Sequence, residues 1–403
     1  MLRSFVRMTT AIAVAGSLLA ASPGRALGNG PAPMAVKGLW WGGEVQGVAM
    51  DDAGDVYVVG TEESHMIVRR YGPGGALRWE RIYSVTGKRG HVDARGGVAV
   101  GPDGAVYVAG LVPLKSGDAE FPDIGAYVRA YGPAGTLRWQ RTVHHREYVS
   151  EISTGVAAGP DLVVLGGYTT CFECLMREGW LKAWSPGGRA RWRDPFEFAG
   201  IPEVKRDEPT DVAIDRDGSI YVVGEVDQLE GEWGESAPDD ADVVVRAMTP
   251  SGVIRWTHVL TDASIDEDRA TSVAVRNGRV VVGAQVGQSV AGPRPWVRSY
   301  TTGGSPAWTR TFVRTGSSGY DDEPAVAIGP AGTVYLVRTD LQDQLRMIAL
   351  TAGGKWRWAS VAPAGGPADV AVDVGAIRVA AQAVHADHAL LLSRRFQANG
   401  AAA

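Results

Sequence analysis

The sequence predicts an all-β protein, a seven-bladed β-propeller with four antiparallel strands per blade, on three observations. A valine-alanine-apolar triplet recurs seven times. Each triplet opens the same series of short β runs and Gly-containing turns, and no segment of the mature chain has helical periodicity. The triplets are Val48-Ala49-Met50, Val98-Ala99-Val100, Val156-Ala157-Ala158, Val212-Ala213-Ile214, Val273-Ala274-Val275, Val326-Ala327-Ile328 and Val370-Ala371-Val372. Their spacing averages about 54 residues, close to the length of one propeller blade.

Within the second copy, Val98 to Val100 is followed by the turn Gly101-Pro102-Asp103-Gly104 and the run Ala105 to Gly110, which together make a hairpin. After a variable connection come Ala126 to Tyr131, a turn at Gly132-Pro133-Ala134-Gly135, and Leu137 to Arg141. That is a second hairpin, and two hairpins make a four-stranded blade. The fourth run carries a tryptophan in each full repeat: Trp79, Trp139, Trp192, Trp256, Trp308 and Trp358. These read as packing residues between blades. The seventh copy ends before its tryptophan, while Val36 to Trp41 has the same Leu-x-Trp form, so the N-terminal strand is expected to complete the last blade and close the ring.

The form Val-Ala-Val-x-Pro-Asp-Gly-x-Val-Tyr-Val-x-Gly at Val98 to Gly110, repeated with small changes at Val212 to Gly224, resembles the repeat of bacterial exported propellers of the SBBP (seven-bladed β-propeller) type. The segment Tyr131 to Trp139 is similar to the tryptophan-bearing strand of quinoprotein-like propellers. The resemblance covers nearly the whole mature chain. It implies the fold, whereas such repeats serve proteins of many activities.

The first 26 residues read as a signal peptide, with Arg3 and Arg7 ahead of an uncharged run from Met8 to Ala21 and a small-residue cleavage context at Gly24-Arg25-Ala26. Residues 27–35 form a short lead, 36–400 a single propeller domain and 401–403 a C-terminal tail. The apolar run is too short to span a bilayer, and general secretory export to the periplasm or outside the cell is expected. Removal of Arg3, Arg7 and Arg25 takes the net charge from −5 to −8, which disfavours nucleic acid as a partner.

Strand order puts the longest connections at one end of the blades: Leu111 to Ile124, Thr169 to Glu178, Glu225 to Asp242 and Val286 to Pro295. Long loops on a rigid scaffold are where binding sits. This face is acidic, and Asp239, Asp240, Asp242, Asp266, Glu267 and Asp268 are the candidate residues for calcium or a basic partner, against the plainer reading of solvated charge. Asp207-Glu208 and Asp321-Asp322-Glu323 add to it. Cys171 and Cys174, the only cysteines, read as a loop-stapling disulfide, with a redox pair or a zinc site shared with His144 and His145 as alternatives. His385, Asp387, His388 and His65 form a further candidate cluster, read as surface histidines, with a general acid and base or a metal site as alternatives. The recurrent basic residues Arg69, Arg129, Lys182, Arg246, Arg298 and Arg394 are expected to stack on neighbouring tryptophans. Two classes of function follow. One is a monomeric, non-catalytic scaffold binding a protein, glycan or cell surface. The other is a hydrolase or lyase with its site over the central channel, and a quinone-dependent dehydrogenase is a third reading.

Overall fold

A computed structural model describes residues 35–395 apart from the segments 40–43, 86–91, 115–123, 146–148, 172–176, 193–195, 198–203, 229–240, 261–267, 288–293, 313–323, 340–343, 364–367, 374–375 and 383–388. The fold is all-β, built from four-stranded antiparallel sheets, the make-up of propeller blades. Among the described residues the strands group into seven four-strand units, and no helix is long and apolar enough to cross a membrane.

Unit 1 consists of Glu44–Met50, Val56–Glu62, His65–Tyr71 and Leu77–Tyr83. Unit 2 consists of Val98–Val100, Val106–Pro113, Ile124–Tyr131 and Leu137–Val143. Unit 3 holds Val149–Ala158, Val163–Cys171, Arg177–Trp184 and the short Phe196–Glu197. Unit 4 holds Val204–Ile214, Ile220–Gln228, Ala241–Met248 and Ile254–Leu260. Unit 5 has Arg269–Arg276, Arg279–Val286, Arg294–Thr301 and Pro306–Thr311. Unit 6 has Ala325–Ile328, Val334–Thr339, Gln344–Leu350 and Trp356–Pro363. Unit 7 takes Ala368–Asp373, Ala376–Gln382 and Ala389–Arg395, with the N-terminal strand Ala35–Leu39 paired antiparallel to its third strand from Ala35 opposite Ser393 to Leu39 opposite Ala389. Trp40 and Trp41 lie outside the described residues.

Units 2, 3 and 4 are joined into one twelve-stranded sheet, a departure from separate blades. The joints are single parallel pairs, Ile124 with Ser150 and Arg177 with Arg206, where strand ends of neighbouring units meet. Several strands also run further than the sequence predicts. The second strand of unit 2 continues to Pro113, that of unit 4 to Gln228, and Asp242 begins inside a strand.

Each unit buries its middle strands, rich in Val and Tyr, against its neighbours, so the apolar core is a series of inter-unit layers. Tyr57, Tyr107, Tyr221 and Tyr300 are almost fully enclosed in these layers. Tryptophans of the fourth strands fasten the layers at the outer edge, joined in unit 3 by Trp192, which lies ahead of the short fourth strand rather than in it as the repeat predicts. Trp79, Trp139, Trp192, Trp256 and Trp308 donate their indole N–H to the carbonyls of Pro133, Pro186, Pro250, Thr302 and Ala352, at 2.7 to 3.2 Å. Every acceptor lies in the turn between strands three and four of the next unit.

The residue two places after the tryptophan repeats the gesture. Arg81, Arg141, His258 and Arg310 bond the carbonyls of Gly135, Gly188, Gly304 and Gly354. Glycine is required at these turns on two counts. Gly188 has φ of 80°, and a Cβ there would lie 2.8 Å from the Trp139 ring. The arginines of strand three behave differently from expectation. Arg129 stacks on Tyr83 and Tyr131, and Arg298 on Tyr300, because the tryptophan faces are already taken by the next unit's turn and by Arg81 and Arg141.

Removing one such ring leaves a cavity and an unbonded carbonyl at the same junction. Trp139→Ala should cost about 3–5 kcal/mol in urea unfolding, and Gly188→Ala should be destabilising without any loss of side-chain volume. A Trp139→Ala protein with wild-type stability would show that the tryptophans do not carry the packing.

Candidate functional site

The first strands of the units pack on one another in succession, and that of unit 1 packs on that of unit 7. A cavity of about 200 Å³ lies among them and is lined by residues of all seven units. Six units line it with one register position, the residue just before the valine-alanine triplet (Gly97, Gly155, Asp211, Ser272, Ala325 and Asp369), and unit 1, which has Gly47 at that position, lines it with Gln46. Four of the seven units carry a β-bulge here, between Val45 and Gly47, Ser153 and Gly155, Pro209 and Asp211, and Ala270 and Ser272. A bulge re-aims a side chain, and here it turns this position towards the cavity. Space is scarce: a Cβ on Gly47 would lie 3.1 Å from Gly97 Cα, and one on Gly155 3.1 Å from Asp211 Cα. Only small residues fit.

Where the small residue has an oxygen, it bonds the next unit. Asp211 accepts from its neighbour Val212 N and from Val273 N of unit 5, both at 2.8 Å. Ser272 Oγ accepts from Val326 N of unit 6 at 3.2 Å. Asp369 accepts from Val370 N at 2.7 Å and from Val48 N of unit 1 at 2.8 Å. Burial pushes the Asp211 carboxyl up to about 7 against the opposing pull of these N–H donors, and the nearby Asp369 raises it further. Burial likewise holds Asp369 above the usual carboxylate range. The cavity therefore offers acid oxygens that are already committed to main-chain N–H groups. A carboxylate so engaged is a structural joint before it is a base.

A second polar layer lies nearer the long connections, and sequence reasoning missed it. Counting back five residues from the triplet valine gives Asp93, Glu151, Asp207 and Asp268 in units 2 to 5, and all four are buried. Asp93 accepts from Arg95 N and Leu111 N, and Asp268 from Gly287 N. Glu151, fully enclosed, accepts from His145 Nδ1 at 2.8 Å and from Thr169 Oγ1 at 2.8 Å, with the His145 ring edge-on to Trp180. Its burial alone would raise the carboxyl, yet the His145 and Thr169 contacts outweigh that and leave it below its ordinary value. The regular spacing of an acid five residues before the triplets of units 2 to 5 was the signal available in the sequence.

Of the residues singled out from sequence, Asp239, Asp240, Asp266 and Glu267 lie outside the described residues. Asp242 and Asp268 are buried, unlike the solvated loop charge expected, and so are Asp207, Glu208 and Glu225. Arg177 pairs with Glu208. The main chain of units 4 and 5 meets at two described residues, since Asp268 N donates to Ala241 O at 2.7 Å. Cys171 ends a strand opposite Val149, and Cys174, His385, Asp387, His388 and Asp321 to Glu323 lie outside the described residues. His145 is engaged with Glu151, and His65 opens the third strand of unit 1. Among the described residues no group of three or more His, Cys, Asp or Glu side chains is placed to hold a metal ion.

The Glu151 layer can be read by titration. Because its carboxyl is held below its ordinary value of 4.5, its stabilisation is present above that pH and lost as pH falls through the lower folded value. Glu151→Gln should lower stability at pH 7 by about 1–3 kcal/mol and lose less stability on acidification below pH 5 than wild type does. Parallel acid-unfolding curves for the two proteins would contradict this.

No family model matches the chain, and no curated protein matches it. Among solved structures, a prolyl endopeptidase aligns over 89% of this chain and 48% of its own at 12% identity and a TM-score of 0.45, so the chain spans about half of that protein. A protein of unknown function from Dyadobacter fermentans aligns over 73% and 92% at 12% identity with a TM-score of 0.48. An apocarotenoid oxygenase variant from Synechocystis aligns over 82% and 74% at 11% identity with a TM-score of 0.42. At these values none of them carries an argument about this chain's activity.

Proposed function

We propose that the chain is an exported, closed seven-bladed β-propeller that works as a non-catalytic binding scaffold, presenting the end with the long connections to a protein, glycan or cell-surface partner. Closure is supported by the pairing of Ala35–Leu39 with the third strand of unit 7 and by the Asp369 bond to Val48 N. Residues 1–26 are the removed signal, and residues 36–400 are the propeller. The observation that carries the binding reading is the state of the cavity carboxylates. Asp211 and Asp369 direct their oxygens at main-chain N–H groups of their own and the next unit, which leaves them poorly disposed to take a substrate proton or attack a bond. A hydrolase or lyase using the same cavity would need them free.

The binding surface is assigned to the connections of units 4 and 5, with Asp239, Asp240, Asp242, Asp266, Glu267 and Asp268 as the residues for calcium or a basic partner. Support comes from the hydrogen bond of Asp268 N to Ala241 O, the first described residues after these two acidic connections. Crowded carboxylates repel one another, and a divalent cation bound to the native state would stabilise it by mass action.

The experiment uses protein starting at residue 27, probed on glycan and peptide arrays and melted with millimolar calcium or with chelator. The reading predicts a ligand whose binding falls in Asp239→Asn/Asp240→Asn and persists in Asp211→Asn, with a higher melting temperature in calcium. Turnover of an arrayed substrate that is abolished by Asp211→Asn would overturn it. Melting curves identical in calcium and chelator, with no metal in the purified protein, would reduce the acidic patch to solvated charge.

A further inference from the structure

The cavity among the first strands has polar walls of two kinds. Unit 2 departs from the repeat there. In units 3 to 5 the residue three places before the triplet valine lies inside a strand, as Ser153, Pro209 and Ala270 do. In unit 2 the first strand is only Val98–Val100, and a turn closed by Gly97 N donating to Ala94 O at 2.7 Å sets Arg95 at the cavity. Gly97 has φ of 74°, and a Cβ on Gly96 would lie 2.6 Å from Ala109 Cβ, so only glycine builds this turn. Arg95 is 59% exposed, approaches Asp93 at 3.8 Å, and its guanidinium donates no hydrogen bond to a described residue. One residue earlier, Ala94 N donates to Gln46 Oε1 of unit 1 at 2.9 Å, and Thr61 Oγ1 donates to the same oxygen at 2.7 Å. A main-chain N–H can only donate, so that atom is the oxygen and the Gln46 NH2 is left with no described partner. Units 3 to 5 have the reverse character. Thr154 Oγ1 donates to Pro209 O and Thr271 Oγ1 to Pro324 O, both at 2.6 Å, so each hydroxyl proton is spent on the next unit and each oxygen can only accept. Asp211 keeps acceptor capacity as well, because two N–H donors and the Ser272 hydroxyl fill three of about four carboxylate sites.

We propose that the cavity binds a small zwitterion, an α-amino acid the size of glycine or serine, with its carboxylate on Arg95 and the Gln46 NH2 and its ammonium group on the oxygens of Asp211, Thr154 and Thr271. The charges of the lining select such a molecule. Two carboxylates, Asp211 and Asp369, stand against the one guanidinium of Arg95. A plain anion meets the carboxylates and a plain cation meets Arg95, whereas a molecule with both charges satisfies each wall. The register position before the triplet is glycine in units 2 and 3, Gly97 and Gly155, and adds no side chain to the space between the donors and Asp211. At about 200 Å³ the cavity is below the roughly 300–1,000 Å³ of drug-sized ligand pockets, which sets the size of the occupant. Oxygens committed to N–H donors are weak bases but still accept a hydrogen bond from an ammonium group, so the site binds without reacting. It is separate from the acidic connections of units 4 and 5, and its failure would leave that assignment standing.

The test is calorimetric titration of the purified protein with glycine, L-serine, acetate and methylammonium. Saturable binding of an amino acid in the millimolar range is expected, with acetate and methylammonium weaker by about tenfold or more, because each lacks one charged group. Arg95→Ala, at an exposed position outside the strands, should fold normally and weaken amino-acid binding by about tenfold or more. Asp211→Asn should do the same, and Asp239→Asn/Asp240→Asn should leave binding unchanged. No saturable heat with either amino acid, acetate or methylammonium binding as tightly as glycine, or unchanged affinity in Arg95→Ala overturns the proposal, and so does loss of binding in Asp239→Asn/Asp240→Asn. If Asp211→Asn does not fold, the Arg95→Ala titration decides by itself.

Discussion

The structure depends on how closely the first strands of neighbouring units approach one another. At the position before each triplet, a Cβ on Gly47 or Gly155 would already touch the next unit's backbone. Such proximity leaves each unit's triplet N–H facing its neighbour in a space too narrow for a large side chain. The sequence answers with glycine, alanine, serine or aspartate and nothing bigger. Where oxygen is present, it bonds the neighbour directly, and a main-chain donor that would otherwise be buried without a partner is satisfied. The cavity and its acidity are consequences of this one spacing.

The outer edge solves the same problem by the opposite means. There a large flat side chain spans the gap, so Trp139 lies on the left-handed Gly188 of the next unit's turn and donates its indole N–H to the Pro186 carbonyl of the same turn. Small residues inside and tryptophans outside give every unit a wedge-like section. The arrangement recurs from unit to unit and brings main chain distant in sequence, such as Ala241 and Asp268, within hydrogen-bond reach.

Much of this was legible in the residues. The triplets fixed the first strands, and the Leu-x-Trp runs fixed the fourth. The displaced Leu39-x-Trp41 segment pointed to an N-terminal strand beside the last unit, where Ala35–Leu39 pairs. Less of the site was legible, for identifiable reasons. Acid-rich stretches were read as solvated, whereas Asp207, Glu208, Asp242 and Asp268 are buried, because charge alone does not say which carboxylates will find arginine or N–H partners across a junction. Asp211 and Asp369 stand out only when the repeats are aligned and the position before the triplet is compared, since within one repeat an aspartate there looks like any turn residue. The arginines of strand three were assigned to tryptophan faces that the neighbouring turn had already covered, a competition that periodicity does not encode.

The central claim is that the last unit holds the first, and the amide hydrogen of Val48 reports on it most directly. That N–H donates to the Asp369 carboxylate, 321 residues away. Closure predicts that it exchanges with solvent only through global unfolding, as slowly as the amides of the buried strand Val56–Glu62 beside it. Exchange of the Val48 amide at the rate of an exposed turn, while that second strand stays protected, would contradict the account.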